Sequence, residues 1–133
     1  MITASDAGER VALDAILTLI NGGTGDASGD FAVRTTAGTV LAAMPFSAVA
    51  FQASTTDGSG YASANSNAVT SAASPTAGTI ANGQFRDKAN GVVVAFTITA
   101  IGGGGDVEVA DVVIPAGTTA ISCSGVTMKL YLG

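Results

Sequence analysis

The stretch RDKANGVVVAFTITAIGGGGDVEVADVVIPAG, residues 86–117, decides the fold class because it alternates strand-forming runs with turn residues. Its first run is dense in β-branched side chains, and the Asn90-Gly91 dipeptide before it accepts the positive φ angles of a tight hairpin. The glycine tract 102–105 then turns the chain into a second alternating run. The stretch therefore predicts consecutive antiparallel strands joined by glycine turns.

The same signals recur outside this stretch. Further strands are predicted at FAVRT (31–35), TVLAAMPF (39–46), AVAFQAS (48–54), AVTSAAS (68–74), GTIANGQFRD (78–87) and TTAISCSGVTMKLYL (118–132). The small polar stretch TTDGSGYASANSN (55–67) predicts a surface loop. Short strands with regular turn signals indicate a mainly β fold, an antiparallel β-sandwich or jelly-roll-like domain. We expect a single domain over 1–133, with its β-sandwich in 30–133.

One short N-terminal helix is predicted within residues 1–22. Four apolar side chains fall at i, i+3, i+4 and i+7, which places them on one face: Leu13, Ile16, Leu17 and Ile20. Ser5 or Asp6 can cap the start, and Asn21-Gly22 suits a left-handed cap at the end. The apolar stripe needs a surface to cover it. Packing on the chain's own sheet and docking on a neighbouring subunit both remain open from the sequence.

Composition narrows the function classes. The 133 residues include ten acids and five bases, for a net charge of −5, and charged residues make up only 11% of the chain. Because nucleic-acid affinity comes largely from Lys and Arg displacing counterions, such a chain is not expected to bind nucleic acid. A sparsely charged surface can be covered by other proteins at little desolvation cost. We therefore expect stabilising contacts with copies of itself or a partner.

Few residues are suited to catalysis. The chain has no His, which excludes Ser-His-Asp and Cys-His machinery and His ligation of zinc. Asp106, Glu108 and Asp111 cluster in sequence, and two of them could form a glycosidase pair, but no Trp is present and Tyr61 and Tyr131 are far apart in sequence. We interpret the acids as a solvated face and predict that the protein is not an enzyme.

Cofactor sites are not predicted either. The stretches GGGGDVEVA and GGTGDASGD resemble calcium-binding nonapeptides but place the aspartate one residue early, which leaves an opportunistic ion at Asp26 and Asp30 as the alternative. The lone Cys123 is interpreted as a small buried hydrophobe. No secretory signal or apolar run of membrane-spanning length is present. We expect the chain to be made in a cytoplasm and to remain there until assembly.

A resemblance to a known family rests on the order of several motifs. These are LDAILTLINGG (13–23), TVLAAMPFSAVAFQAS (39–54), NAVTSAASPTAGTI (67–80), FRDKANGVVV (85–94) and VEVADVVIPAGTTAISCSGVTMKL (107–130). In this order they resemble a family of small virion structural proteins of tailed bacteriophages. The resemblance covers most of the chain, from Leu13 to Leu130.

The resemblance implies a capsid decoration or cement protein located in the virion. Its partners would be the major capsid protein or other virion proteins, in a homo-oligomer for which a trimer is favoured, without nucleic acid or membrane. A tail- or baseplate-associated structural protein is the alternative, and a carbohydrate- or receptor-binding module is the alternative of another class. The predicted partner surface consists of Leu13, Ile16, Leu17, Ile20 and Tyr61.

Overall fold

A computed structural model describes residues 5–56 and 60–131. In chain order the elements are helix α1 (Asp6–Ile20) and strands β1 (Asp30–Arg34), β2 (Val40–Pro45), β3 (Thr55–Thr56), β4 (Ala62–Asn65), β5 (Val69–Thr70), β6 (Gly78–Thr79), β7 (Asn82–Arg86), β8 (Val92–Ala100), β9 (Val107–Val109), β10 (Val113–Ile114), β11 (Ser122–Cys123) and β12 (Thr127–Leu130). The prediction of a mainly β fold with one short N-terminal helix is confirmed.

Helix α1 begins where the sequence predicts. The Ser5 hydroxyl accepts a hydrogen bond from the backbone N–H of Gly8 at 3.2 Å, which satisfies one of the free donors of the first turn. The end differs from the prediction. Asn21 stays right-handed, with φ −88°, and the first left-handed residue is Gly23, with φ +82°. The helix thus ends by tightening its last turn, as the Asn21 N–H donates to the Thr18 carbonyl at 3.2 Å and the Gly22 N–H to the Leu19 carbonyl at 3.0 Å.

The largest sheet has the strand order β2-β1-β7-β8-β9. Strand β1 pairs antiparallel with β2 and β7, and β7 pairs antiparallel with β8 through the hairpin that the sequence predicts. At the tip of that hairpin Asn90 has φ +63°, which asparagine tolerates better than most residues. One face carries the large apolar side chains, and the other face carries small or polar ones.

Strand β9 corrects one prediction. The stretch 86–117 does not form consecutive antiparallel strands throughout, because β9 pairs parallel with β8, with Ile98 opposite Val107. Parallel neighbours usually need a crossover of a dozen or more residues. Here the paired segment is only three residues long, so the glycine-rich segment 101–106 is enough to carry the chain back.

A second sheet, of order β12-β4-β3, corrects two more predictions. The stretch 55–67 is not only a loop, because β3 and β4 pair within it. The run 48–54 does not form a strand of its own, since its pairing is limited to an isolated bridge between Phe51 and Ser66. Alanine and serine alternate in β4 and leave room for close packing, which explains why a stretch without large apolar residues forms a strand.

The core joins both sheets and the helix. Helix α1 packs against β3, β4 and β12 of the second sheet and against β8 of the first. All five phenylalanines of the chain form one connected cluster of rings, in which Phe85 contacts Phe31, Phe46, Phe51 and Phe96 at centroid separations of 4.8–5.7 Å. The small number of aromatic residues is thus concentrated at one point, where edge-to-face contacts add to burial.

Candidate interaction surface

Most of the residues predicted to contact a partner belong to the core of the chain itself. Leu13, Leu17 and Ile20 are 0%, 5% and 0% exposed. The prediction of a partner surface is wrong for these three side chains, because the helix turns its apolar stripe onto its own sheets. Ile16 is half-buried on the same helix. The helix instead presents Val11 and Leu19 to solvent.

Tyr61 lies on an exposed aromatic patch that it shares with Tyr131. The two ring centroids are 5.1 Å apart with an angle of 36° between the ring planes. Tyr61 is 39% exposed and Tyr131 is 57% exposed, so both rings keep large free areas. The ammonium group of Lys129 lies 5.8 Å from the centroid of the Tyr61 ring, at cation–π distance. We call Tyr61, Tyr131 and Lys129 the tyrosine patch.

The pairing of β4 with β12 creates this patch. Leu130 lies opposite Ala62 in the antiparallel register, so Tyr131 and Tyr61 follow as neighbours at the same end of the two strands. Sequence reasoning treated the two tyrosines as remote and missed the patch. The available signal was that each tyrosine flanks a short alternating run, YASAN and VTMKLY, which a correct strand pairing would have brought together.

A groove of about 670 Å³ opens elsewhere on the molecule, between β9 and the segment 121–127. Its floor consists of core side chains on the apolar face of the large sheet, namely Phe31, Val33, Met44 and Ile98. Its walls include the half-buried side chains Ile80, Val107, Val109, Ile121 and Val126. The groove therefore reaches from solvent down to the core.

The three acids from which a glycosidase pair could be drawn, Asp106, Glu108 and Asp111, line this groove. Asp106 accepts hydrogen bonds from the backbone N–H and the hydroxyl of Thr97, at 2.8 and 2.7 Å, and these bonds lower its pKa below 3.8. Glu108 accepts from the backbone N–H of Gly104 at 2.9 Å, and bonds from Gly104 and Gly102 lower its pKa below 4.5. Lowered pKa values keep both groups ionised at neutral pH, whereas a general acid needs a raised one. These two carboxylates hold the glycine segment in place.

The aspartates considered for an ion have other contacts. Asp30 accepts two hydrogen bonds from the Arg86 guanidinium, at 2.7 and 2.6 Å, in a pair that is nearly buried. The bond to Asp30 raises the pKa of Arg86 above its ordinary value, against the lowering effect of burial. Asp26 accepts from the side-chain amide of Asn90 at 3.4 Å. Among residues 5–56 and 60–131, no group of three or more acidic, Cys or His side chains is placed to hold a metal.

Cys123 is half-buried and lines the groove, where its thiol donates to the carbonyl of Gly125 at 3.3 Å.

The chain matches no protein-family model, no curated protein and no solved structure in the comparisons made. In the part of the chain that the structure describes, no helix has the length and apolar character needed to cross a membrane.

Proposed function

We propose that the chain is a structural virion protein of a tailed bacteriophage, which binds the outer capsid as a decoration or cement protein. The single observation that carries the proposal is the tyrosine patch. Tyrosine is enriched at the energetic centres of protein interfaces because its ring buries a large area at a low cost in side-chain entropy. Two exposed rings beside each other, in a chain with only two tyrosines, favour a contact surface over random exposure.

The rest of the molecule supports the same function. Charged residues are sparse, and large apolar side chains are exposed at several separate places, including Val11, Leu19, Val49 and Ile101. A coat component gains from such a surface, because small contacts with the major capsid protein are repeated many times over a shell. The resemblance to virion proteins supports a place in the particle, for which the capsid is the first proposal and the tail the alternative. The proposed assembly is a homotrimer at the local three-fold positions of the capsid.

The mechanism is additive burial of interface area, which holds neighbouring capsid subunits together. The tyrosine patch supplies the central contacts, with the Lys129 ammonium held over the Tyr61 ring. No bond is made or broken. A tail- or baseplate-associated position is the alternative within the same class, and it would use the same patch on a different partner.

Carbohydrate or receptor binding is the second candidate function, and the tyrosine patch is also the observation that favours it. Tyrosine rings can stack on the apolar faces of sugars, and the sequence alone gave no such pair of rings. The ring planes are inclined by 36° and are therefore not coplanar. Such a pair of rings suits a curved ligand surface better than a flat one. A glycan array separates the two candidates, since a cement protein should bind no glycan while still binding particles.

Immunogold labelling of intact phage particles, combined with the copy number of the chain per particle, tests the location. We expect dense label over the heads and a copy number comparable with that of the major capsid protein. Label confined to the tail would move the chain to the alternative. Absence of label from every particle would overturn the proposal.

Add-back binding tests the patch itself. Particles stripped of the chain should bind the purified protein, and the Tyr61→Ala/Tyr131→Ala variant should bind at least about thirtyfold more weakly, as expected for interface centres worth about 2 kcal/mol or more. Val113→Ala is the matched control, because it removes an exposed apolar side chain away from the patch. Equal loss with both variants would contradict the assignment of the patch.

A further inference from the structure

The groove between β9 and the segment 121–127 leaves part of the core accessible from outside. Its floor includes Phe31 and Val33, which are almost fully buried, while its walls include apolar side chains that remain half-exposed. Helix α1 and the second sheet cover other parts of the same core. A groove of about 670 Å³ is large enough for several side chains of a ligand.

Strand edges border the groove on both sides. Strand β9 is the last strand of the five-stranded sheet, and its residues Val107, Glu108 and Val109 line one wall. On the other wall lie β11 and the start of β12, and β12 is the last strand of its own sheet. Exposed strand edges offer backbone groups to another chain, and extended peptides are recognised by adding a strand at such an edge.

The charge of the groove indicates which kind of side chain its ligand should carry. Asp106, Glu108 and Asp111 line the groove, and no Lys or Arg is among the described residues that line it. A ligand with a basic side chain beside apolar ones would therefore be complementary to it.

A second copy of the chain is poorly suited to supply that base. The chain has five bases, and four of them already contact their own chain. These are Arg10 to the Ser54 carbonyl, Arg34 to the Gly38 carbonyl, Arg86 to Asp30 and Lys129 to Tyr61. A different, basic partner fits the groove better.

We propose that the groove binds an extended segment of a partner protein, which pairs with the edge of β9 and places alternating apolar side chains on the groove floor. A Lys or Arg of the segment lies against the acids that line the groove. The partner segment adds a strand to the large sheet, and this strand covers the exposed part of the core. This inference is independent of the proposed function, since it holds for a capsid, a tail or any other partner.

A displayed library of random peptides of about ten residues, long enough to span an edge strand, tests the proposal. The purified full-length chain should select peptides in which apolar residues alternate and a Lys or Arg recurs at one position. A selected pattern without a basic residue would overturn the charge argument, and failure to enrich any pattern would overturn the proposal.

Matched variants locate the binding of a selected peptide. Ser124 is exposed and lines the groove, so Ser124→Arg should block it and abolish binding, whereas Ser74→Arg adds the same charge on an exposed segment outside the groove and should have no such effect. Asp111→Asn should weaken binding about two- to fivefold, as expected for one surface charge pair, and Asp6→Asn should leave it unchanged. Equal effects of Ser124→Arg and Ser74→Arg would contradict binding in the groove.

Strand pairing has its own test. In an extended peptide, alternate backbone N–H groups point to opposite edges, so methylation of every second nitrogen removes the donors of one edge only. Methylation of the edge that faces β9 should abolish binding, and methylation of the other edge should be tolerated. Equal binding of the two methylated peptides would overturn pairing with β9. The free chain could also self-associate. If Ser124→Arg abolishes that self-association, a second copy occupies the groove, and the choice of a different partner is overturned.

Discussion

Among single residues, Arg86 and Asp30 show how two opposite charges are accommodated on the small-residue face of the large sheet. The two side chains are opposite each other in β7 and β1, and their paired hydrogen bonds replace the water that each loses. Arg86→Met should lower the free energy of unfolding by about 3 kcal/mol, because it leaves Asp30 without its cation in a nearly buried position. Urea denaturation followed by circular dichroism measures the change.

The double variant Asp30→Asn/Arg86→Met is the control for this pair. It removes both charges and should recover a large part of the lost stability. Because the pKa of Arg86 is raised, the guanidinium stays charged and its full contribution to stability is present below its ordinary pKa, so no loss is expected as the pH rises from 6 to 10. Equal stability of Arg86→Met and the original protein would contradict a structural role for the pair.

Asp106 and Glu108 give a prediction on pH at the same scale. Both pKa values are lower than the ordinary 3.8 and 4.5, so their ionised forms stabilise the segment 101–106 above those values. That contribution is lost as the pH falls through the lowered folded-state pKa. In an NMR titration, the amide proton of Thr97 should shift with a midpoint below pH 3.8, and that of Gly104 with a midpoint below pH 4.5.

Two variants assign these titrations. Asp106→Asn should remove the titration from the Thr97 amide and leave that of Gly104, whereas Glu108→Gln should do the reverse, since each carboxylate accepts from its own partner. Midpoints at or above the ordinary values would show that the hydrogen bonds do not hold in solution.

At the scale of elements, the approach of helix α1 to the large sheet depends on Gly29. A Cβ atom at this position would lie 2.2 Å from the carbonyl oxygen of Ile20 and 2.4 Å from that of Arg86, so the end of the helix and strand β7 leave no room for a side chain. Gly29→Ala should cost about 3 kcal/mol of stability, because both obstacles are backbone atoms that cannot rotate away. Thermal and urea unfolding would measure it.

The neighbouring residue Ala27 is the control for Gly29. It is exposed, and Ala27→Ser should change the stability by less than about 0.5 kcal/mol. Full stability of Gly29→Ala would mean that the helix end can move away from β7 without loss.

Elements also show what a sequence pattern can predict. The helix, β1, β2, β7 and the β7–β8 hairpin carry local signals, such as the 3.6-residue period and Asn90-Gly91, and they were predicted close to their places. Strand β9 also carries a local alternating signal, but its parallel pairing has none, and the small-residue strand β4 has no local signal, because both depend on the partner strand. The tyrosine patch follows from the same non-local pairing, so it was missed although Tyr61 was among the candidates.

The direction of the helix stripe shows a related limit. Periodicity predicts that Leu13, Leu17 and Ile20 share a face, and the structure confirms it. Periodicity does not tell whether that face meets the same chain or another one. Only the placement of β3, β4 and β12 around the helix decides this.

For the whole molecule, the buried stripe makes the helix part of the cooperative unit. Full burial of each of three large aliphatic side chains contributes about 2 kcal/mol, or about 6 kcal/mol together, which is comparable with the total stability of a domain of this size. A chain that begins at Gly23 should therefore lose cooperative unfolding and its protected amides, as measured by urea titration and hydrogen exchange. The Val11→Ser/Leu19→Ser variant changes only exposed helix side chains and should unfold as the original does. A shortened chain that still unfolds cooperatively would show that the sheets fold without the helix, and α1 would then be free to leave the core and meet a partner.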